Sequence, residues 1–113
     1  MNYEAAGDFD INKAVAEALS LKISSDQYMG YGDRDENVVL LSVLSEGDKA
    51  VDYCNNPSDA WPIIVKNRIS LEFIQSVHDG KRYCRAFISL NTWSSENPLR
   101  AAMIVFLKMK EQT

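Results

Sequence analysis

The chain has 113 residues, 46% of them hydrophobic and 25% charged, with a formal net charge of −4. That length and balance describe one self-supporting globular domain over residues 1–113, and they argue against disorder and against a metal- or disulfide-stapled scaffold. Lys and Arg are outnumbered and scattered, so non-specific nucleic-acid binding is disfavoured. The longest apolar runs, near Val38–Leu44 and Ala101–Leu107, fall far short of the ~20 residues a bilayer span needs.

The start MNYEAAGDFD has neither the basic head nor the apolar run of a secretory signal. Two cysteines, Cys54 and Cys84, are too few for a secreted disulfide framework, and free buried thiols in a reducing cytoplasm are expected. The first element is DINKAVAEALSLK. Ile11, Ala14, Val15, Ala18 and Leu19 form one helical stripe, and Asp8 or Asp10 caps it. SSDQYMGYGDRDEN follows as a long polar loop. Within it Asp33, Asp35 and Asn37 alternate as a calcium loop begins, but Val38 and Leu44 stand where that template needs Gly and Glu. A solvated acidic loop is the better reading, and no metal or cofactor is expected.

NVVLLSVLSEGDKAVDYC predicts two strands around a turn at Glu46-Gly47-Asp48, the first covered on both faces because Val38–Leu44 hardly alternates. In DYCNNPSDAWPIIVKNR, Asn56 is a good cap and Pro57 suits the first helical position, with Asp59 placed to reach back to the cap as in a capping box. Pro62 then falls at the sixth position, where it removes a backbone bond. A two-step start, a turn over Asn55–Ser58 and then a short helix to about Asn67, resolves the conflict on paper. Trp61 would wedge into the core.

RISLEFIQSVHDGKRYCRAFISL predicts a hairpin. Ile69, Leu71 and Phe73 alternate on one strand, Cys84, Ala86, Ile88 and Leu90 on the next, with Asp79-Gly80 as a tight turn. NTWSSEN is expected to be a polar loop. NPLRAAMIVFLKMKEQ is a helix with Asn97 as cap, Pro98 first, and a stripe of Leu99, Ala102, Met103, Phe106 and Leu107. Lys108 and Lys110 complement its negative pole. The order is helix-strand-strand-helix-strand-strand-helix, an α+β fold with an antiparallel sheet of about four strands and packed helices.

The segments INKAVAEA, DYCNNPSDAWPIIVKNRISL and NPLRAAMIVFL resemble the NinX family of lambdoid phages, from the nin region, and more widely a group of small phage proteins described as α-β-α sandwiches. The resemblance spans most of the chain and is weakest over Asp26–Asn37. It implies an accessory protein acting in the cytoplasm of the host cell and carries over no catalytic or binding residues.

His78 is the sole histidine and precedes a predicted hairpin tip, where histidines are normally solvated; Cys54 or Cys84 with His78 and an Asp lacks a local motif for an activated nucleophile. The remaining chemistry is recognition. Tyr53, Asn55, Asn56, Ser58, Asp59 and Trp61 cluster within nine positions, and Trp93 stands in the later polar segment. Such residues can read a polar ligand and stack on it, or they can simply cap and anchor a helix. Three functions are expected in order: a non-catalytic binding module that modulates a host or phage protein, a sequesterer of a small polar or nucleotide-like ligand, and a small hydrolase. Homo-oligomerisation through an apolar sheet edge is compatible with the pattern but not specified by it.

Overall fold

A computed structural model describes residues 1–23, 38–43 and 47–112. The acidic loop holding Asp33, Asp35 and Asn37 lies outside them, as does Glu46 of the expected turn, whereas Gly47 and Asp48 are described. Three helices and five strands follow in the order α1 (Asp8–Ala18), β1 (Val39–Val43), β2 (Gly47–Val51), α2 (Pro57–Asn67), β3 (Ser70–Gln75), β4 (Arg82–Ile88), β5 (Asn91–Ser95) and α3 (Pro98–Glu111). The mixed α+β class stands. The single four-stranded sheet does not: the strands form an antiparallel β1–β2 pair and a separate antiparallel sheet ordered β3-β4-β5.

The extra strand is the segment expected to be a loop. NTWSS pairs with β4, Trp93 opposite Ala86 and Ser95 opposite Cys84. Its alternation is real but polar: Asn91 and Trp93 turn inward while Thr92 and Ser94 stay exposed. The β3–β4 connection is also longer than an Asp-Gly turn alone. Ser76 donates to the Lys81 carbonyl across four loop residues, and Gly80 takes the left-handed φ of 71° that closes them. Two expected core residues are outside: Phe73 is 73% exposed and Leu90, at the β4–β5 tip, is 98% exposed.

α3 is the hub. Every residue from Ala101 to Leu107 is buried, all round the helix, because it packs on β4 and β5 with one side and on α1 and α2 with the other. The order is therefore sheet, α3, then α1 and α2, rather than a sheet between helical layers. Residue chemistry explains this. The face of β3–β5 towards α3 carries Ala86 and Cys84, small and buried, while the opposite face carries Glu72, Arg85, Ser94 and Thr92. There Arg85 pairs with Glu72 at 3.3 Å and lies over the Phe87 ring, so that face tolerates water. The β1–β2 pair packs separately against α1, with Val39, Leu40 and Leu41 all buried, as the unalternating run requires.

Candidate functional site

Six of the seven candidate residues lie on the segment that leaves β2 and enters α2. Asn56 caps α2 by accepting from the Ser58 N–H at 3.0 Å, and Pro57 opens it. The helix then runs unbroken to Asn67, with Pro62 inside it, so the two-step start is not what forms. Pro62 is tolerated because it sits on the exposed side, where the Ser58 carbonyl it cannot bond is near water. Asp59 does not complete a capping box. Its carboxylate reaches further back and accepts from the Asp52 N–H at 2.9 Å.

Behind that start lies a polar junction. Asn12, fully buried on α1, donates to Asp52 at 2.8 Å and accepts from the Cys54 N–H at 3.0 Å. The Asn55 amide donates to both Asp52 and Asp8, and its oxygen accepts from Asn97 at 3.1 Å. Asn97 also donates to the Cys54 carbonyl at 2.7 Å while its own oxygen caps α3 through the N–H groups of Leu99 and Arg100. Arg100 holds Asp8 at 2.7 Å and spans to the carbonyls of Tyr3 and Ala6. The N-termini of all three helices thus meet at the Asn55 side chain. Three positive dipole ends are answered by the carboxylates of Asp8 and Asp52, which leaves the junction satisfied internally and uninviting to an anion.

Tyr53 is buried, and burial, with Asp59 nearby, pushes its hydroxyl up to about 12. Cys54 is buried too. Desolvation, and secondarily the Asp8 charge, raises its thiol to about 12, with Arg100 offsetting only part. Burial raises the Cys84 thiol as well. Reactive thiols are depressed, not raised, so neither cysteine is poised as a nucleophile. His78 is exposed at the β3–β4 tip.

Trp61 corrects the expectation most sharply. It is 56% exposed, and Val65, one turn on, is 55% exposed. The buried stripe of α2 is Ala60, Ile63 and Ile64, and the indole falls off it. Trp93 is half-buried far along the chain on β5, edge-on to Tyr3 at 5.8 Å with the Lys108 ammonium 5.6 Å from its ring. It joins the Tyr3–Glu111 hydrogen bond in tying the N-terminus to α3.

A groove of about 360 Å³ runs between the β1–β2 pair and α2; Leu21, Leu41, Val51 and Ile63 make its apolar walls, and Lys49, Tyr53, Ser58 and Asp59 its polar points. Ser58 and Pro62 form its α2 edge, and Trp61 and Val65 follow within roughly 60° around the helix, on the solvent side. Of the candidate residues, Tyr53, Ser58 and Asp59 therefore face one groove, Trp61 flanks it, Asn55 and Asn56 are spent on architecture, and Trp93 is elsewhere. Asn12, Asp52 and Arg100, which hold the region together, carry no local mark in the sequence; Asn97 is legible there as the cap of α3 but not as the partner of Cys54 and Asn55.

No helix among the described residues is long and apolar enough to cross a membrane, and none of them gathers three or more His, Cys, Asp or Glu side chains in metal-binding range. No curated protein matches the chain in sequence. A crystal structure of a phage protein from Bacillus cereus ATCC 14579 is similar at 17% identity, covering 91% of each chain with a TM-score of 0.48. The family model for NinX of bacteriophage P22 matches residues 3–110, nearly the whole of the hub, junction and groove just described, and the chain belongs to that family.

Proposed function

We propose that this NinX-family protein is a non-catalytic accessory module that works in the host cytoplasm by binding a host or phage protein, and that the outer face of α2 is its docking surface. The observation that carries this is the pair Trp61 and Val65, both more than half exposed on one helical face. Large apolar side chains on a helix whose start is locked by Asn56 and Asp59 are rigid anchors, and a tryptophan so placed is the residue type that most often dominates binding energy. The groove beside them gives a partner side chain somewhere to go.

Capture experiments with tagged wild type and Trp61→Ala from phage-infected cells test it. A stoichiometric protein retained by wild type and lost with the variant supports the reading. Equal retention by both, or none by either, refutes it.

A second reading, sequestration of a small polar ligand, rests on the groove alone. Its volume lies at the low end of small-molecule sites, and Asp59, Ser58 and Lys49 could orient a polar head. A nucleotide-like base stacked between Trp61 and Trp93 is not favoured, because Trp93 is engaged with Tyr3 and Lys108. Native mass spectrometry of protein taken straight from expressing cells separates the two readings, since a bound small molecule adds discrete mass. A hydrolase finds no support in the raised thiols.

A further inference from the structure

We propose that the outer edge of β3 is a self-pairing surface through which two copies join their sheets about a two-fold axis at Phe73. β3 is six residues long, ends the β3-β4-β5 sheet, contains no proline, and no described element runs along its outer side. Its bonding parity follows from one contact. The Ser76 N–H donates to the Lys81 carbonyl at 2.8 Å, in line with the register that pairs Ile74 with Tyr83 and Glu72 with Arg85. Antiparallel ladders alternate bonded and non-bonded pairs, so Ser70, Glu72 and Ile74 turn their backbone groups towards β4. Leu71, Phe73 and Gln75 turn theirs outward.

That outward trio is symmetric about Phe73. Set antiparallel against itself, it places Phe73 opposite Phe73 and Leu71 opposite Gln75 of the second copy, so all three outward residues find backbone partners within a strand. Glu72 then faces Ile74 of the other copy. Sliding the pairing two residues one way would place Glu72 opposite Glu72, a like-charge contact that opposes association. Sliding it the other way would set Leu71 against Val77, which lies in the β3–β4 loop rather than in a strand. Charge and strand length therefore select one register.

The side chains agree. Phe73 is 73% exposed on the α3 side of the sheet, at the wall of a groove of about 360 Å³ also lined by Tyr83, Cys84, Glu96 and Pro98. In the joined sheet the two Phe73 rings meet over the axis. A long, unblunted edge with an exposed aromatic ring at its centre is the kind of strand that proteins otherwise guard with lysine, proline or a bulge.

Light scattering and sedimentation across a concentration series should show a species of twice the monomer mass. Phe73→Asp, which sets like charges opposite each other at the axis, should weaken it at least 100-fold without changing the circular dichroism. Amide exchange adds a residue-level readout: the N–H groups of Leu71, Phe73 and Gln75 should gain protection with concentration, while those of Ser70, Glu72 and Ile74 stay protected throughout. Phe73→Cys should cross-link to itself under mild oxidation, because Cα atoms of facing bonded pairs stand about 5.5 Å apart, whereas Glu72→Cys should not. A monomer at every concentration, a dimer undisturbed by Phe73→Asp, or cross-linking at position 72 instead of 73 overturns the proposal. If Phe73→Asp fails to fold, the cysteine pair decides. These outcomes are independent of Trp61.

Discussion

Replacing Asn12 by Leu should be among the most damaging single changes in the chain, although it puts an aliphatic side chain of similar size into a core. Asn12 is fully buried, and its amide bonds to the Asp52 carboxylate at 2.8 Å and to the Cys54 N–H at 3.0 Å. Leucine supplies neither. Leaving a buried backbone N–H unpaired costs about 1–3 kcal/mol, and losing a hydrogen bond to a charged acceptor costs about 1.5–3 kcal/mol. Asp52 keeps the Asn55 amide, which softens the second loss. Added apolar burial offsets about 1 kcal/mol. The expected net is a loss of roughly 2–4 kcal/mol, a large share of the typical 5–15 kcal/mol of a domain. Urea unfolding measures it as a fall in midpoint of about 1–2 M with an unchanged slope. Asn12→Asp should be worse at neutral pH, since it sets a second carboxylate against Asp52, and should recover on acidification. A leucine variant within 0.5 kcal/mol of wild type would refute the view that the junction holds the helices together.

Above about pH 9 the protein should lose stability, because folding raises the Cys54 thiol from its ordinary range to about 12 and the Tyr53 hydroxyl likewise. Each group's contribution is complete below its unfolded value and is lost as pH rises towards the folded one. Urea midpoints from pH 7.5 to 10.5 check the slope, which Cys54→Ala should flatten. Pro62→Ala should stabilise the chain by about 1–2 kcal/mol, by restoring the N–H that bonds the Ser58 carbonyl, less the entropy proline removes from the unfolded state; no gain in thermal midpoint would contradict that account. Arg100→Lys should cost about 1–3 kcal/mol while keeping the charge, since a lysine cannot hold Asp8 and the Tyr3 and Ala6 carbonyls together. Differential scanning calorimetry against Arg100→Ala shows how much of that loss is geometry.

What the sequence discloses is what local chemistry decides. Asn56-Pro57 and Asn97-Pro98 each mark a helix start because a cap and a fixed φ act within three residues, and both helices begin there. β5 was hidden because its inward residues, Asn91 and Trp93, sit among exposed Thr92 and Ser94, and only pairing with β4 makes a strand of them. Asn12 was hidden for a different reason. Its partners stand 40 and 42 positions away, so a polar residue beside a helical stripe looks like surface. Trp61 was legible in principle. Ala60, Ile63 and Ile64 define the inward stripe at the spacing of a helix, and a tryptophan next to Ala60 lies off it. Hydrophobic size suggested burial where the helical period said otherwise.

The dense polar block from Asp52 to Trp61 therefore divides into two jobs. Asp52, Asn55, Asn56 and Asp59 turn inward or cap, joining the starts of α1, α2 and α3 at one point. Because Asp52, Asn55 and Asn56 are already engaged in this way, they have little left to offer a ligand, and only Asp59 also faces the groove. What they provide is stiffness: α2 is fastened at its start, so its outer face presents Trp61 and Val65 without first paying to order them. The two jobs predict opposite signatures. Changes at Asn12 or Asn55 should lower stability and reach any partner only through the fold, whereas Trp61→Ala, at an exposed position, should stay within about 0.5 kcal/mol of wild type and still abolish capture. A Trp61→Ala protein that unfolded as readily as Asn12→Leu would mean the indole is architecture after all, and the docking face would have to be sought elsewhere.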